Sequence, residues 1–195
     1  MLLLGWALTT TAWTAPLRVN VMDAQGKPVP DAVVFLESPE AARASKPLDG
    51  AEMVQQDKAF QPSVLVVPKG TAVNFPNRDT VRHHVYSFSP TKRFELKLYV
   101  GTPANPVVFD KAGVVVLGCN IHDQMLAHIV VVDTPWYGRT DATGQVTLND
   151  VPAGNYRLRT WHGRLPVGEP AQDQALRLGA EALRVPVTLR KLEAP

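Results

Sequence analysis

GVVVLGCNIHDQMLAHIVVV, residues 113–132, is the stretch that decides the fold. Its two ends, GVVVLG and HIVVV, are rich in β-branched residues and are typical of buried strands. Between them lies the single cysteine of the chain, Cys119, three residues before His122 and six before Met125. The stretch therefore predicts two strands joined by a loop that carries three side chains able to bind a metal ion.

Short strands of this kind recur along the whole chain. We predict them at residues 17–22, 32–36, 63–68, 71–75, 83–89, 113–118, 128–132, 145–148, 155–161 and 183–189. Turn signals with Asp or Pro early and Gly late separate several of them, as at 23–26, 68–70 and 141–144. The one predicted helix is short, at 39–45. This spacing predicts an all-β protein with Greek-key connections, either a sandwich or a barrel.

Composition excludes some classes of partner. The chain has 195 residues, 45% of them hydrophobic, and a net charge of +2 without a clustered basic run. A nucleic-acid-binding protein would need a basic face, so we expect no nucleic-acid partner.

The first 15 residues, MLLLGWALTTTAWTA, are apolar or small and uncharged. They are too short to span a bilayer, and they predict a cleaved export signal. The alternative is an uncleaved lipid-associated anchor. No later segment is apolar enough to cross a membrane, so we expect no transmembrane segment in the mature chain. A lone cysteine in an exported protein has no internal disulfide partner, so it is a reactive thiol, an intermolecular link or a protected ligand.

Two shifts in composition divide the chain. Residues 38–50 and 133–139 are polar and bear Pro and Gly, and the cysteine lies in the block between them. The flanking fragments, 16–37 and 140–195, are each too small to bury a core of their own. We therefore expect these fragments to pair with each other, which makes the central block an insertion.

The loop chemistry favours copper. Zinc rarely accepts Met and iron–sulfur clusters need more thiolates, whereas copper suits two His and a Cys with a weak axial Met. The loop supplies one His, and VRHHVYSFS, residues 81–89, offers another. Because side chains alternate along a strand, His83 and His84 face opposite sides, and one of them points at a given site.

The central block, residues 51–133, resembles the cupredoxin family of plastocyanin-like blue copper proteins. The elements that carry the resemblance follow in order: Phe60-x-Pro62, VxxG at 67–70, VNFPN at 73–77, HHVYSFS, and Cys-x-x-His-x-x-Met. FPNRDTVRHHVYSFSP and GCNIHDQM are in addition similar to bacterial proteins called methylamine utilisation proteins.

The resemblance implies one mononuclear copper site with the ligands His83, Cys119, His122 and Met125. His84 stands where the family usually has an Asn that braces the copper loop, so its expected place is behind the ligands. The family has three or four residues between the loop His and Met, whereas this chain has two. A shorter loop lengthens or tilts the axial contact of Met125.

The flanking fragments resemble the two halves of a carboxypeptidase-regulatory-like, transthyretin-type β-sandwich. LRVNVMDAQGKPVPDAVVFLES matches its opening and TDATGQVTLNDVPAGNYRLRTWHG its closing half. The expected organisation is a signal at 1–15, a cupredoxin domain at 51–133, and a discontinuous companion sandwich formed by 16–50 and 134–195.

The resemblance implies a bacterial periplasmic protein that transfers single electrons and is not an enzyme. Ile121, Leu126 and Ala127 are expected to form an apolar rim for a transient redox partner, such as a c-type cytochrome or a dehydrogenase. His128 and His162 are expected to pack rather than bind metal. Two other functions remain open: a copper carrier that uses the same ligands, and a copper-free structural protein. A redox enzyme is a weaker alternative, because the sequence offers no second metal and no evident place for a substrate.

Overall fold

The structure is a computed structural model, and it describes residues 14–194. The predicted export signal lies outside the described residues except for Thr14 and Ala15, which begin the first strand. No helix among the described residues is long and apolar enough to span a membrane.

The described part of the chain is almost entirely β-structure with one short helix. In chain order the elements are β1 (Thr14–Met22), β2 (Val33–Glu37), α1 (Pro39–Ala44), β3 (Ala51–Glu52), β4 (Val54–Gln56), β5 (Ala59–Gln61), β6 (Val64–Pro68), β7 (Thr71–Asn74), β8 (His83–Ser89), β9 (Lys92–Tyr99), β10 (Val107–Phe109), β11 (Gly113–Gly118), β12 (Leu126–Val132), β13 (Tyr137–Arg139), β14 (Gln145–Pro152), β15 (Gly154–Trp161), β16 (Gln172–Leu178) and β17 (Leu183–Thr188). The predicted all-β class is confirmed.

Strands β3 to β12 form the first of two β-sandwiches. A five-stranded sheet has the order β6-β12-β11-β8-β9, and a three-stranded sheet has the order β10-β7-β3. The remaining two strands, β4 and β5, form a separate hairpin. Apolar side chains from both sheets form one buried core, which also contains Cys119 and Met125. The loop that carries Cys119, His122 and Met125 is therefore attached directly to a packed core.

The second, smaller sandwich joins strands from both ends of the chain. Its sheets have the orders β14-β1-β17 and β13-β2-β15-β16. β1 pairs with β14 and β17, and β2 pairs with β13 and β15, so strands before residue 38 pair with strands after residue 136. A separate apolar core fills the space between these sheets. Strand β13 lies within residues 133–139, the second of the two shifts in composition.

A third apolar cluster joins the two sandwiches. Strand β12 is apolar on both faces: Ala127, Ile129 and Val131 enter the first core, and Val130 and Val132 point the other way. That second face packs with Val64 against the companion sandwich, whose contribution is Val33, Phe35, Trp161 and Leu165. These seven side chains are at most 8% exposed. The continuous apolar run in this part of the sequence thus reflects a strand covered on both sides.

The predicted turns have the expected backbone. Gly26, Gly70 and Gly144 have φ values of 76°, 89° and 75°. A Cβ on Gly144 would lie 2.4 Å from the carbonyl oxygen of Val21, so this position also requires the absence of a side chain. The predicted helix is present as α1, and the side chain of Ser38 caps it by accepting the N–H of Ala41 at 3.0 Å.

Candidate metal centre

Three potential metal ligands converge at one end of the five-stranded sheet. Because β8, β11 and β12 pair antiparallel, the start of β8, the end of β11 and the start of β12 lie at the same end. His83 is the first residue of β8, Cys119 follows β11, and His122 lies in the loop before β12. The Nδ1 atoms of His83 and His122 are each 3.9 Å from the Sγ of Cys119. The structure therefore brings together three residues that the sequence analysis predicted as ligands.

The site is enclosed, with one partly open ligand. His83 is 0% exposed and Cys119 is 4% exposed, whereas His122 is half-buried. The two imidazole rings lie 4.9 Å apart between centroids. His122 is thus the ligand candidate closest to solvent.

The spacing of the three donor atoms fits a metal ion. Their ligand atoms all lie within 4.8 Å of one another. In a trigonal site with bonds of about 2.0–2.3 Å, neighbouring ligands are separated by about 3.6 Å, which is close to the two distances observed. One thiol and two imidazoles are the trigonal donors that copper prefers. In the described part of the chain this is the one cluster of three or more His, Cys, Asp or Glu residues with such spacing.

A carboxylate supports the buried imidazole, and the sequence analysis missed it. The Nε2 of His83 is 2.7 Å from the Oδ2 of Asp79. Asp79 also accepts the backbone N–H groups of Asp57 at 2.7 Å and Lys58 at 3.0 Å. Burial acts to raise the pKa of the Asp79 carboxyl. The hydrogen bonds from Lys58, His83 and Asp57 outweigh burial and hold this pKa below its usual value.

His84, the residue after His83 in β8, contacts the loop that carries Cys119 and His122. Its Nδ1 accepts a hydrogen bond from the Nδ2 of Asn120 at 2.9 Å, directly after Cys119. Its Nε2 is 2.9 Å from the Oε1 of Glu95 but is not aligned for a hydrogen bond. Although side chains alternate along β8, the register shifts between His83 and Val85, and His84 is only 8% exposed. His84 therefore contacts the loop that carries Cys119 through its hydrogen bond with Asn120.

The backbone before Cys119 is covered by an aromatic ring. A Cβ added to Gly118 would lie 2.8 Å from the Cζ and the hydroxyl oxygen of Tyr86. The ring of Tyr86 in turn lies 5.1 Å from that of Phe88. The glycine therefore allows β8 to approach the end of β11 closely.

Met125 lies near the three donors in a buried position. It is 1% exposed and belongs to the same apolar core as Cys119. Its backbone N–H donates to the carbonyl oxygen of His122 at 3.0 Å, which closes a tight turn between the two residues. The proposed axial role of Met125 stays a prediction.

The predicted apolar rim is present in part. Ile121 is 49% exposed and Leu126 is 58% exposed. Ala127 was predicted to join them, and this is wrong, since Ala127 is 1% exposed and lies in the first core. The reason is the strand period: once β12 begins at Leu126, the next side chain points inward.

His128 and His162 lie away from the three donors. The ring of His128 packs edge-on against Trp161, with centroids 5.1 Å apart, at the junction of the two sandwiches. Burial, and then the neighbouring His162, lower the pKa of His128. Burial is also the largest cause that lowers the pKa of His162, whose Nδ1 accepts the N–H of Arg164 at 3.0 Å. Both are packing residues in this structure.

Comparisons with known proteins give structural likenesses only. No protein-family model and no curated protein matches the chain. A purple cupredoxin from Nitrosopumilus maritimus is similar at 22% identity and a TM-score of 0.37, over 42% of this chain and 99% of that one. A reduced Cu(I) form of an amicyanin variant is similar at 24% identity and a TM-score of 0.38, over 51% of this chain and 98% of that one.

A copper-containing nitrite reductase from Thermus scotoductus is also similar, at 25% identity and a TM-score of 0.40. That match covers 47% of this chain and 26% of the reductase chain.

Proposed function

We propose that this protein binds one copper ion in a cupredoxin-type site and carries single electrons between redox partners in the bacterial periplasm. The observation that carries the proposal is the convergence of the Cys119 thiol with the Nδ1 atoms of His83 and His122. Met125 is the proposed axial ligand, since it is buried in the core that contains Cys119.

Bound copper would supply a one-electron couple. The protein contributes a fixed donor set, because His83 and Cys119 are attached to β8 and β11, which belong to one sheet and one packed core. Donors held in this way rearrange little when the charge of the site changes, which favours fast electron transfer. Copper with one thiolate and two imidazoles is the donor set of known electron-transfer sites.

The exposed surface near His122 supports a transient docking role. His122 is half-buried, and Ile121 and Leu126 beside it expose apolar side chains. Brief electron-transfer encounters use small interfaces, and we propose that this patch receives a periplasmic redox protein, such as a c-type cytochrome or a dehydrogenase.

We also propose the division into domains. The copper domain is residues 51–133, and the companion sandwich is formed by residues 16–50 and 134–195. The two separate apolar cores support this division, as does the pairing between strands from the two ends of the chain. The proposed role of the companion sandwich is to cover one face of the copper domain.

Copper loading tests the proposed function. The purified chain is loaded with Cu(II), and its visible absorption and EPR spectra are recorded beside those of Cys119→Ser, His83→Gln and Met125→Leu. We expect an intense thiolate-to-copper band with a small hyperfine splitting, and we expect its loss in Cys119→Ser and its loss or strong alteration in His83→Gln. Met125→Leu should keep the colour and shift the reduction potential.

His128→Gln is the matched control, because it removes a half-buried imidazole of the same sheet that lies away from the donors. It should leave the spectra unchanged. A colourless protein that binds Cu(I) alone would instead indicate a copper carrier. A wild-type chain that binds no copper in either state would overturn the proposal.

A further inference from the structure

The carboxylate of Asp79 is held by three hydrogen-bonding groups, whereas a surface aspartate usually contacts water. Its Oδ2 lies 2.7 Å from the Nε2 of His83 and accepts the N–H of Lys58 at 3.0 Å, while its Oδ1 accepts the N–H of Asp57 at 2.7 Å. The Asp79 side chain is 13% exposed and the His83 side chain is 0% exposed. The imidazole therefore meets a carboxylate whose own position is fixed by the backbone of another element.

That element is the hairpin of β4 and β5. Its two turn residues, Asp57 and Lys58, have φ values of 56° and 55°, the left-handed region that non-glycine residues seldom adopt. Two consecutive residues in this conformation form the tight turn that suits a two-residue hairpin. Here both turn N–H groups donate to Asp79. The turn thus holds the carboxylate in place.

The segment before Asp79 fixes it from the other side. The N–H of Asp79 donates to the Oδ1 of Asn77 at 3.0 Å. Asn77 is 5% exposed, and its Nδ2 donates to the carbonyl oxygens of Val81 at 2.9 Å and Tyr99 at 2.8 Å. Asp79 therefore has hydrogen bonds at both its backbone and its carboxylate, and none of them depends on a bound metal.

A neutral imidazole carries one N–H, and its hydrogen-bond partner decides which nitrogen holds it. A carboxylate accepts and cannot donate, so it selects the form with the proton on Nε2. This leaves the lone pair of Nδ1 on the side of Cys119, whose Sγ is 3.9 Å away. Without this partner, the ring would be free to exchange its proton between the two nitrogens or to turn over.

We propose that Asp79, held by the β4–β5 hairpin, is the positioning residue that sets the tautomer and orientation of His83 before a metal ion arrives. This inference rests on the proposed copper site. Two consequences follow. In the metal-free protein, the Nδ1 lone pair of His83 already faces Cys119. The negative charge of Asp79 also makes the imidazole of His83 a stronger electron donor to a metal ion. A stronger donor stabilises Cu(II) over Cu(I), so Asp79 lowers the reduction potential.

The second imidazole provides an internal comparison. In the part of the chain that the structure describes, no carboxylate lies within ion-pair distance of His122. His122 is half-buried, and its Nδ1 lies 3.9 Å from the Sγ of Cys119. We therefore expect one tautomer for His83 and an average of two for His122 in the metal-free protein.

The experiment begins with the metal-free, ¹⁵N-labelled full chain. Long-range ¹H–¹⁵N correlation spectra assign the protonated nitrogen of each imidazole, at a pH well above the usual histidine pKa of about 6.5. We expect the proton of His83 on Nε2 in the wild type and a mixture of tautomers in Asp79→Ala. Asp79→Asn keeps an acceptor without the charge, so it should largely retain the tautomer. Thermal melting curves show which variants are folded.

Copper binding then separates positioning from charge. Loss of a hydrogen-bond partner behind a ligand typically costs about 10–100-fold in metal affinity. We expect that loss of Cu(II) affinity for Asp79→Ala in competition with a chelator, a smaller loss for Asp79→Asn, and a raised reduction potential for both. Glu95→Gln is the control, because it removes a carboxylate that lies near His84 and not near His83. It should leave the His83 tautomer and the affinity unchanged.

Two results would overturn the inference. One is a metal-free wild type in which His83 carries its proton on Nδ1 or in a mixture, a result that does not depend on any variant folding. The other is a folded Asp79→Ala that binds Cu(II) with wild-type affinity and potential. Failure of the wild-type chain to bind copper would overturn the proposed function instead, whereas the tautomer in the metal-free chain tests the positioning separately.

Discussion

His83 and His128 lie in the same five-stranded sheet, but His83 is fully buried, His128 is half-buried, and their surroundings differ in kind. His83 points into the first sandwich, where Asp79 takes one ring nitrogen and Cys119 faces the other. His128 points to the junction between the sandwiches, where its ring packs on Trp161. Burial does not explain the difference, because His122, the other imidazole of the donor cluster, is half-buried like His128. The distinction is an acceptor behind one nitrogen and a second metal donor in front of the other.

The same difference separates the candidate metal centre from the junction between the two sandwiches. At the metal centre the enclosed groups are polar and depend on hydrogen bonds. At the junction they are apolar and depend on packing, with Val130, Val132 and Trp161 at most 4% exposed. We expect substitutions at the junction to change stability without changing the copper spectrum, and substitutions next to the three donors to change the spectrum.

The largest expected effect tests the junction. Trp161→Ala removes a 4%-exposed indole from the third apolar cluster. Such a change typically costs about 3–5 kcal/mol in the free energy of unfolding, which urea denaturation of the metal-free chain measures. The fraction that remains folded should keep the wild-type copper spectrum. Val167→Ala, at a side chain that is 92% exposed, is the control and should leave stability within about 0.5 kcal/mol. A changed spectrum in folded Trp161→Ala would show that the two regions are coupled.

An intermediate effect is expected next to the metal centre. Gly118→Ala places a Cβ 2.8 Å from the Cζ and the hydroxyl oxygen of Tyr86, so either the Tyr86 side chain or one of the two strands has to move. Overpacking of this kind costs about 1–3 kcal/mol and should also alter the spectrum, because Cys119 is the next residue. Adding Tyr86→Ala should recover part of both changes.

The matched control for that change is Gly179→Ala, since an added Cβ there meets no atom within 4 Å. It should leave the denaturation midpoint near the wild-type value. Equal losses from the two alanine substitutions would show that the close approach of Tyr86 is not the cause.

The smallest expected effect is a dependence on pH at the junction. Burial and His162 lower the pKa of His128 in the folded protein. As the pH falls through about 6.5, the unfolded chain takes up a proton that the folded chain resists, so the free energy of unfolding decreases until the lower, folded pKa is reached. The contribution is at most about 1.4 kcal/mol per pH unit.

Denaturation midpoints of the metal-free chain at several pH values between 5 and 7.5 measure this slope. His128→Gln removes one titrating ring, so its slope should be shallower than that of the wild type. His162 also has a lowered pKa and will retain part of the dependence. If His128→Gln left the slope of the midpoint against pH unchanged, groups other than His128 would cause the pH dependence.

Much of the fold was predictable because it depends on local patterns. Strands β8 and β11 have the predicted bounds, 83–89 and 113–118, since β-branched residues mark them and turns delimit them. Strand β9 was missed because its sequence, KRFELKLY, alternates charges with partly buried residues at a sheet edge. Charged residues on an edge strand discourage pairing with other chains, but they also hide the strand from a hydrophobicity pattern.

The cluster of His83, Cys119 and His122 was predictable because Cys119 and His122 lie in one short loop and HHVYSFS marks a strand that begins with a further imidazole. Asp79 was not, because its role depends on the β4–β5 turn, which lies about twenty residues earlier in the chain and contains no glycine. Ala127 was placed on the rim because the predicted strand began at residue 128, whereas β12 begins at Leu126 and so includes Ala127, whose side chain points inward.

Strand β12 has apolar side chains in two cores at once, and this has a consequence for solubility. Residues 51–133 expressed alone would expose Val64, Val130 and Val132, a contiguous apolar patch of sheet that the companion sandwich covers in the whole chain. Large exposed patches of this kind cause self-association. The copper domain on its own is therefore expected to aggregate unless these positions carry polar residues with high strand propensity, such as threonine.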